Sequence, residues 1–176
     1  KQLSGKSAYA SVGVGNYQHS VYAGGSPKDI ETILQLVYLN FTSPRFDQTD
    51  LDNIKQMYVP YFRNMESDPN YIVGREFQKT IYGDHARRQI TSASQIEAIN
   101  IPSLQAIHSK LFGYADDFRF VIVGNVDLNT LKPLVEKYIG SLPTSKKVEY
   151  AVVDDGVRFA EGNVVNDFRT AMQQPK

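Results

Sequence analysis

Six consecutive residues, Phe118-Arg119-Phe120-Val121-Ile122-Val123, constrain the fold of this chain more than any other stretch. β-Branched and aromatic residues at that density suit a strand largely covered on both faces. Such a strand needs a sheet around it and helices over that sheet, and the rest of the sequence supplies helices. Ser26 is a good N-cap residue, Pro27 suits the first helical position and Asp29 favours the positive end of the helix dipole. Behind them Ile30, Ile33, Leu34, Val37 and Phe41 repeat on one helical face, with Leu36 and Leu39 widening the stripe. This helix packs on something apolar, most simply a sheet.

Further helices follow the same punctuation. From about Thr49, residues Leu51, Ile54, Tyr58, Tyr61, Phe62 and Met65 share a face, with a kink or break expected at Pro60. Asp68-Pro69 caps a helix that should bury Ile72, Val73, Phe77 and Ile81 and stop at Gly83. Ser94 and Glu97 have capping-box spacing, and Pro102 opens a helix carrying Leu104, Ile107, His108 and Leu111 up to Gly113. Asp127 caps another, with Leu131, Leu134, Val135 and Tyr138 as its stripe and Gly140 as its stop. Residues 7–23 instead read as two antiparallel strands around Gly13-Val14-Gly15-Asn16, whose glycines would supply positive φ. That Gly-x-Gly is a weak phosphate signal, because Gln18 stands where a dinucleotide fingerprint has its third glycine. The valine-rich stretches 148–153, Val157 to Phe159 and Val164 to Phe168 read as short strands or as extended linker.

Composition narrows the function classes. Nineteen Lys plus Arg balance nineteen Asp plus Glu, so no global positive field attracts nucleic acid or an anionic membrane. A length of 176 residues suits one domain. No run of about 18 apolar residues, the length a membrane-spanning helix requires, occurs. Cysteine is absent, and with it disulfides, thiolate metal sites and cysteine nucleophiles. His19, His85 and His108 lack the i,i+4 spacing that places two imidazoles on one helical face. The first residue is Lys1, so the chain reads as an excised segment.

No catalytic constellation emerges from the residues. A serine-type triad lacks a G-x-S-x-G elbow to point to it. His108 reads as a core or boundary histidine with one satisfied nitrogen. His85, Arg87 and Arg88 form a cationic loop able to grip a carboxylate or phosphate, although a solvated loop at a helix end explains them as well. Asp116-Asp117 and Asp154-Asp155 read as loop acids, and Tyr58, Tyr61 and Phe62 as core.

Three stretches together resemble the pitrilysin or insulinase family of zinc metallopeptidases, which includes the mitochondrial processing peptidases. They are SPKDIETILQLVYLNFTSPRFDQTDLDNIKQMY at 26–58, IYGDHARRQI at 81–90 and FVIVGNVDLNTLKPLVEKYIGSLPT at 120–144. The last is the most specific: a buried strand, a Gly-Asn-x-Asp turn, a helix and Gly-x-Leu-Pro in that order. The resemblance implies an α+β domain, a two-layer sandwich of helices on a mainly antiparallel sheet. It implies a clamshell of two homologous halves around a peptide, only one of which carries the zinc motif H-x-x-E-H. Zinc would sit in that catalytic half and none in this segment, since the motif is missing here and the third ligand's position falls near Tyr61, with Glu66 the only carboxylate between Asn53 and Ser67.

The expectation is therefore a noncatalytic domain, with no catalytic or metal-binding residue of its own and unassigned substrate-binding residues. Residues 1–145 would form a partial peptidase-family domain, its first strand and helix lying upstream, and 146–176 an extended linker or edge strands toward the next domain. Its partners would be the catalytic half of the same parent chain and peptide substrates, in the periplasm or cell envelope of a bacterium. A scaffolding domain of a catalytically inactive family member is the alternative.

Overall fold

In the computed structural model, residues 3–145, 153–165 and 167 are described. Two strands, β1 (Ala8–Val14) and β2 (His19–Gly25), pair antiparallel with Val12 opposite Val21 and Ala10 opposite Ala23. The turn is closed by the Gly15 N–H donating to the Gln18 carbonyl at 2.9 Å. Gly13 and Gly15 do not have the positive φ expected of them, which among glycines is confined to Gly5, Gly25, Gly83, Gly156 and Gly162. Space is the reason for them instead. A Cβ on Gly15 would stand 2.9 Å from the Gln18 carbonyl oxygen, and one on Gly13 would meet the Tyr22 ring at 3.1 Å.

Among the described residues six α-helices follow: α1 (Ile30–Thr42), α2 (Gln48–Met65), α3 (Pro69–Tyr82), α4 (Ala93–Ala98), α5 (Ile101–Phe112) and α6 (Leu128–Tyr138). The α+β reading holds, with helices on a small antiparallel sheet. Residues separate into two compact units, one built from Lys1–Phe46 with Pro102–Tyr150, the other from Asp47–Ile101 with Ala151–Lys176.

In the first unit α1 lies against both strands and against α6. A short 3-10 turn, Pro27–Asp29, precedes α1, and the Ser26 side chain makes no capping bond there. Asp29 instead accepts from the Ser7 N–H at 3.0 Å and ties the helix start to β1. The expected stripe is real: Ile33, Leu34, Val37 and Phe41 are buried, while Leu39 is exposed. Val37, Phe41, Phe112 and Leu142 form the core cluster, with Val21, Tyr38, Leu111, Phe118 and Ile139 packed around it. Among the described residues Phe112 is the most enclosed large side chain, 2% exposed. Asp127 caps α6 as expected, accepting from the Thr130 N–H at 3.0 Å. The α6 stripe is only half-buried, because the helix contributes Tyr138 to α1 through Gln35 and Glu31 rather than inserting into the core.

The covered strand expected at 118–123 is not formed. Those residues have no ladder, and Val121 and Val123 are 74% and 92% exposed. Phe118 and Phe120 do reach the core, at 5.0 and 6.1 Å from the Phe41 ring centre. A strand needs a neighbour for its N–H and C=O groups, and among the described residues none lies beside this run. Of the C-terminal stretches, 148–152 and most of 166–168 lie outside the described residues, and 157–159 and 164–165 are not strand.

The second unit has fewer enclosed side chains. Asp68 caps α3 through the N–H groups of Asn70 and Tyr71, at 2.7 and 3.4 Å. Gly83, in the left-handed conformation at φ 62°, ends the helix. The buried residue of α3 is Tyr71, whereas Val73 and Phe77, expected inside, are exposed. On α2 only Leu51 is buried; Ile54, Tyr58 and Tyr61 are exposed, contrary to the core role expected of both tyrosines. The helix continues through Pro60. The capping box of α4 is Ser92 with Gln95, two residues ahead of the Ser94–Glu97 pair, because Glu97 is engaged with Arg63 and its carbonyl accepts from Lys55 Nζ at 2.7 Å.

Candidate functional site

The IYGDHARRQI stretch sits where α3 ends. Gly83 and Asp84, with φ of 62° and 60°, turn the chain back, and Ala86–Arg88 forms a 3-10 turn. His85 caps that turn, its Nδ1 accepting from the Arg87 N–H at 3.3 Å, while Nε2 lies 2.8 Å from the Asp155 carbonyl oxygen. Arg87 pairs with the Asp155 carboxylate at 2.9 Å. The Arg88 guanidinium stands 5.0 Å from the centre of the Tyr82 ring, and that ring meets Phe159 at 5.3 Å. The Ala160 N–H donates to the Ile81 carbonyl at 2.7 Å. The cationic loop is thus a clamp that holds residues 155–160 on the end of α3.

Beside the clamp lies a cavity of about 270 Å³ whose lining includes Arg75, Lys79, Asp84, His85, Arg88 and Gln89. Arg75 is paired with Glu76 at 3.1 Å, and Gln89 donates to Asp84 at 3.3 Å. Lys79 and Arg88 leave the lining with cationic character suited to an anionic group such as a carboxylate. Ser92, also in the lining, is held by the Gln95 N–H and the Ser94 hydroxyl, so it has no activated oxygen for nucleophilic attack.

The remaining candidates have structural occupations. His108 Nε2 lies 2.8 Å from the Asn40 carbonyl oxygen, and its ring stacks on Phe112 at 5.3 Å and meets Phe46 edge-on at 5.8 Å. That is the boundary histidine with one satisfied nitrogen read from the sequence. His19 packs its ring 6.2 Å from that of Phe112. Glu66 accepts from the Ala93 N–H at 2.8 Å, capping α4, and Tyr61 stacks edge-on against Phe62. Asp116 accepts from the Ser145 N–H. Asp154 binds Arg158 and the Gly156 N–H, which together hold its carboxyl at about 2. Glu31 is held below the usual carboxylate range by the Tyr138 hydroxyl and by Lys137. Burial, then the Glu66 charge, pushes the Tyr71 phenol up.

A zinc site needs three or four N, O or S donors converging on one point. Among the described residues no group of three or more His, Asp or Glu converges in that way. His85 and Glu66 already serve as caps. Sequence reasoning missed that the charge of the Arg-rich loop is answered by Asp155, because the two lie 70 positions apart. It also missed the cavity, whose Arg75 and Lys79 lie outside the stretches that carry the resemblance.

Residues 98–175 match the family described as the Peptidase M16 inactive domain. Over those residues the chain is similar to that family. A "Zinc protease PQQL-like" protein of Arabidopsis thaliana is 28% identical over 116 residues, 65% of this chain and 12% of the relative. A "Probable zinc protease PqqL" of Haemophilus influenzae is 21% identical over 126 residues, 72% of this chain and 13% of the relative. The chain thus spans about an eighth of the length of these curated relatives. In fold it is similar to the ferredoxin protease FusC, solved in complex with Arabidopsis ferredoxin, with a TM-score of 0.70 and 15% identity over 89% of this chain and 17% of that one. Among the described residues no helix is long and apolar enough to cross a membrane.

Proposed function

We propose that this M16-like chain is a noncatalytic wall of a peptidase chamber, closing around peptide substrates that a separate zinc-bearing half of the same polypeptide cleaves. The observation that carries this reading is the match of residues 98–175 to an inactive M16 domain, in a chain also similar to zinc-protease relatives. Residues 1–145 would be one partial domain and 146–176 the lead toward the next, in a bacterial periplasm or envelope. The structural duties of His85, His108 and Glu66 support the same reading, since each is spent on packing or capping.

The physical logic is division of labour. Metal and base act from one half, while confinement and part of the substrate contact come from the other, so neither half alone has the whole transition-state environment. Residues 1–176 alone should hydrolyse no peptide. The longer polypeptide should cleave unstructured peptides small enough to be enclosed and spare folded proteins. Peptide hydrolysis by the longer polypeptide, with and without residues 1–176, is the test. Unchanged cleavage with an unchanged substrate size limit would overturn the chamber-wall role and favour a scaffolding domain.

A further inference from the structure

The cavity beside the clamp is walled by residues between Arg75 and Gln95, and its charges are arranged unevenly. Among the described residues three cations, Arg75, Lys79 and Arg88, line it with two anions, Glu76 and Asp84. Both anions are answered from within the lining. Glu76 Oε1 accepts from Arg75 Nε at 3.2 Å and from one of its terminal nitrogens at 3.1 Å, and Asp84 Oδ1 accepts from Gln89 Nε2 at 3.3 Å. His85 adds no charge, since its Nδ1 accepts from the Arg87 N–H and its Nε2 meets the Asp155 carbonyl oxygen, the pattern of a neutral imidazole. The lining therefore carries one net positive charge, supplied by Lys79 and Arg88.

Local structure places those two cations together. Lys79 follows Arg75 by four residues on α3 and so shares its helical face. Arg88 arrives from the 3-10 turn, and its guanidinium is restrained by the Tyr82 ring at 5.0 Å, a ring backed in turn by Phe159. A restrained guanidinium offers a planar fork of N–H donors that matches the two oxygens of a carboxylate. Gln78 adds an amide and Ile90 an aliphatic wall, suited to the chain that carries such a group. At about 270 Å³ the cavity takes a chain end or a side chain rather than a folded surface. A carboxylate brings one negative charge and matches the surplus, whereas a phosphate ester brings about 1.5 to 2.

We propose that this cavity receives a peptide carboxylate, either the C-terminal group of a peptide substrate or an Asp or Glu side chain within it, held by the Arg88 fork and the Lys79 ammonium. The proposal rests on the chamber reading for the source of the peptide and deepens it, because the wall then selects peptides by their charge as well as by their size.

Titration calorimetry on the longer polypeptide, at constant ionic strength and with a chelator present so that no peptide is consumed, tests it. Three probes suffice: an N-acetylated alanine pentapeptide with a central glutamine, closed as an amide; the same peptide with a free C-terminal carboxylate; and the amide with a central glutamate. At least one carboxylate peptide should bind about tenfold or more tightly than the neutral one, and which of them does so identifies the source. Lys79→Gln and Arg88→Gln should each remove that preference, while Lys79→Arg should keep it. Lys132→Gln, at an exposed position on α6, should leave it unchanged. Should Arg88→Gln loosen the clamp through Tyr82, Lys79→Gln at its exposed position still decides the matter. Equal binding of all three peptides would overturn the proposal. So would equal losses from Lys79→Gln and Lys132→Gln, which would reduce it to general attraction, or tighter binding of inorganic phosphate than of either carboxylate. The measurement reads binding and not cleavage, so its failure is distinguishable from a failure of the chamber role.

Discussion

The two units solve the same packing problem with different material. Around α1 and α5 an aromatic cluster shares one core: Phe112 meets Phe41, Phe118, His19 and His108, each pair with ring centres 5.3 to 6.4 Å apart. Around α2, α3 and α4 the buried side chains are Leu51, Tyr71 and Ala93, and much of the cohesion is polar: Arg63 with Glu97, Lys55 with the Glu97 carbonyl, Glu66 with the Ala93 N–H and Tyr71 with the Thr91 carbonyl. Apolar burial is non-directional and scales with area, whereas each hydrogen bond contributes a net of about 0.5–1.5 kcal/mol. The first unit should therefore respond to lost volume and the second to lost geometry.

The largest expected effect tests the aromatic side of that contrast. Phe112→Ala should cost about 3–5 kcal/mol, read by denaturant unfolding with a probe in the first unit. A loss below about 1 kcal/mol would mean the cluster is not a shared core. Next in size, Tyr71→Phe keeps the ring and removes only the hydroxyl bonded to Thr91, and should cost about 1 kcal/mol. An unchanged midpoint would show that the polar ties of the second unit carry less than their geometry implies. Smaller still, Tyr58→Ala, on the exposed face of α2, should stay within about 0.5 kcal/mol in residues 1–176 alone. A cost of core size there would mean that this face is covered and that the contrast between units is overstated. The smallest effect is a pH dependence. With the Asp154 carboxyl held at about 2, below its ordinary 3.8, its contribution is complete above about pH 4 and fades as pH falls toward 2. Comparing acid unfolding with Asp154→Asn should show a shallower loss over that window in the variant, and identical curves would contradict it.

Features set by neighbouring residues were legible in the sequence. Asp68 and Asp127 cap where they were expected because the N–H groups they serve lie two or three residues away. The α1 stripe was legible because one sheet and one helix cover it. Burial on α2 and α3 was not, since periodicity identifies an apolar face but not whether anything covers it, and Val73, Phe77 and Tyr58 remain exposed. The same limit explains Phe118–Val123, whose composition announces a strand while its pairing depends on a neighbour. At the candidate site, the charge of His85, Arg87 and Arg88 was visible, but Asp155, which answers it, is 70 residues away.

That last distance has a consequence for biosynthesis. The clamp between the end of α3 and residues 155–160 cannot close until those later residues have left the ribosome. Translation proceeds at about 5–20 residues/s, so His85 emerges roughly 4–14 s before the Asp155 carbonyl that receives it. During that interval the nascent α3 lacks its C-terminal anchor while residues 102–150 are being made. Slow codons within that stretch would lengthen the time that the Tyr82 ring stands without Phe159 against it.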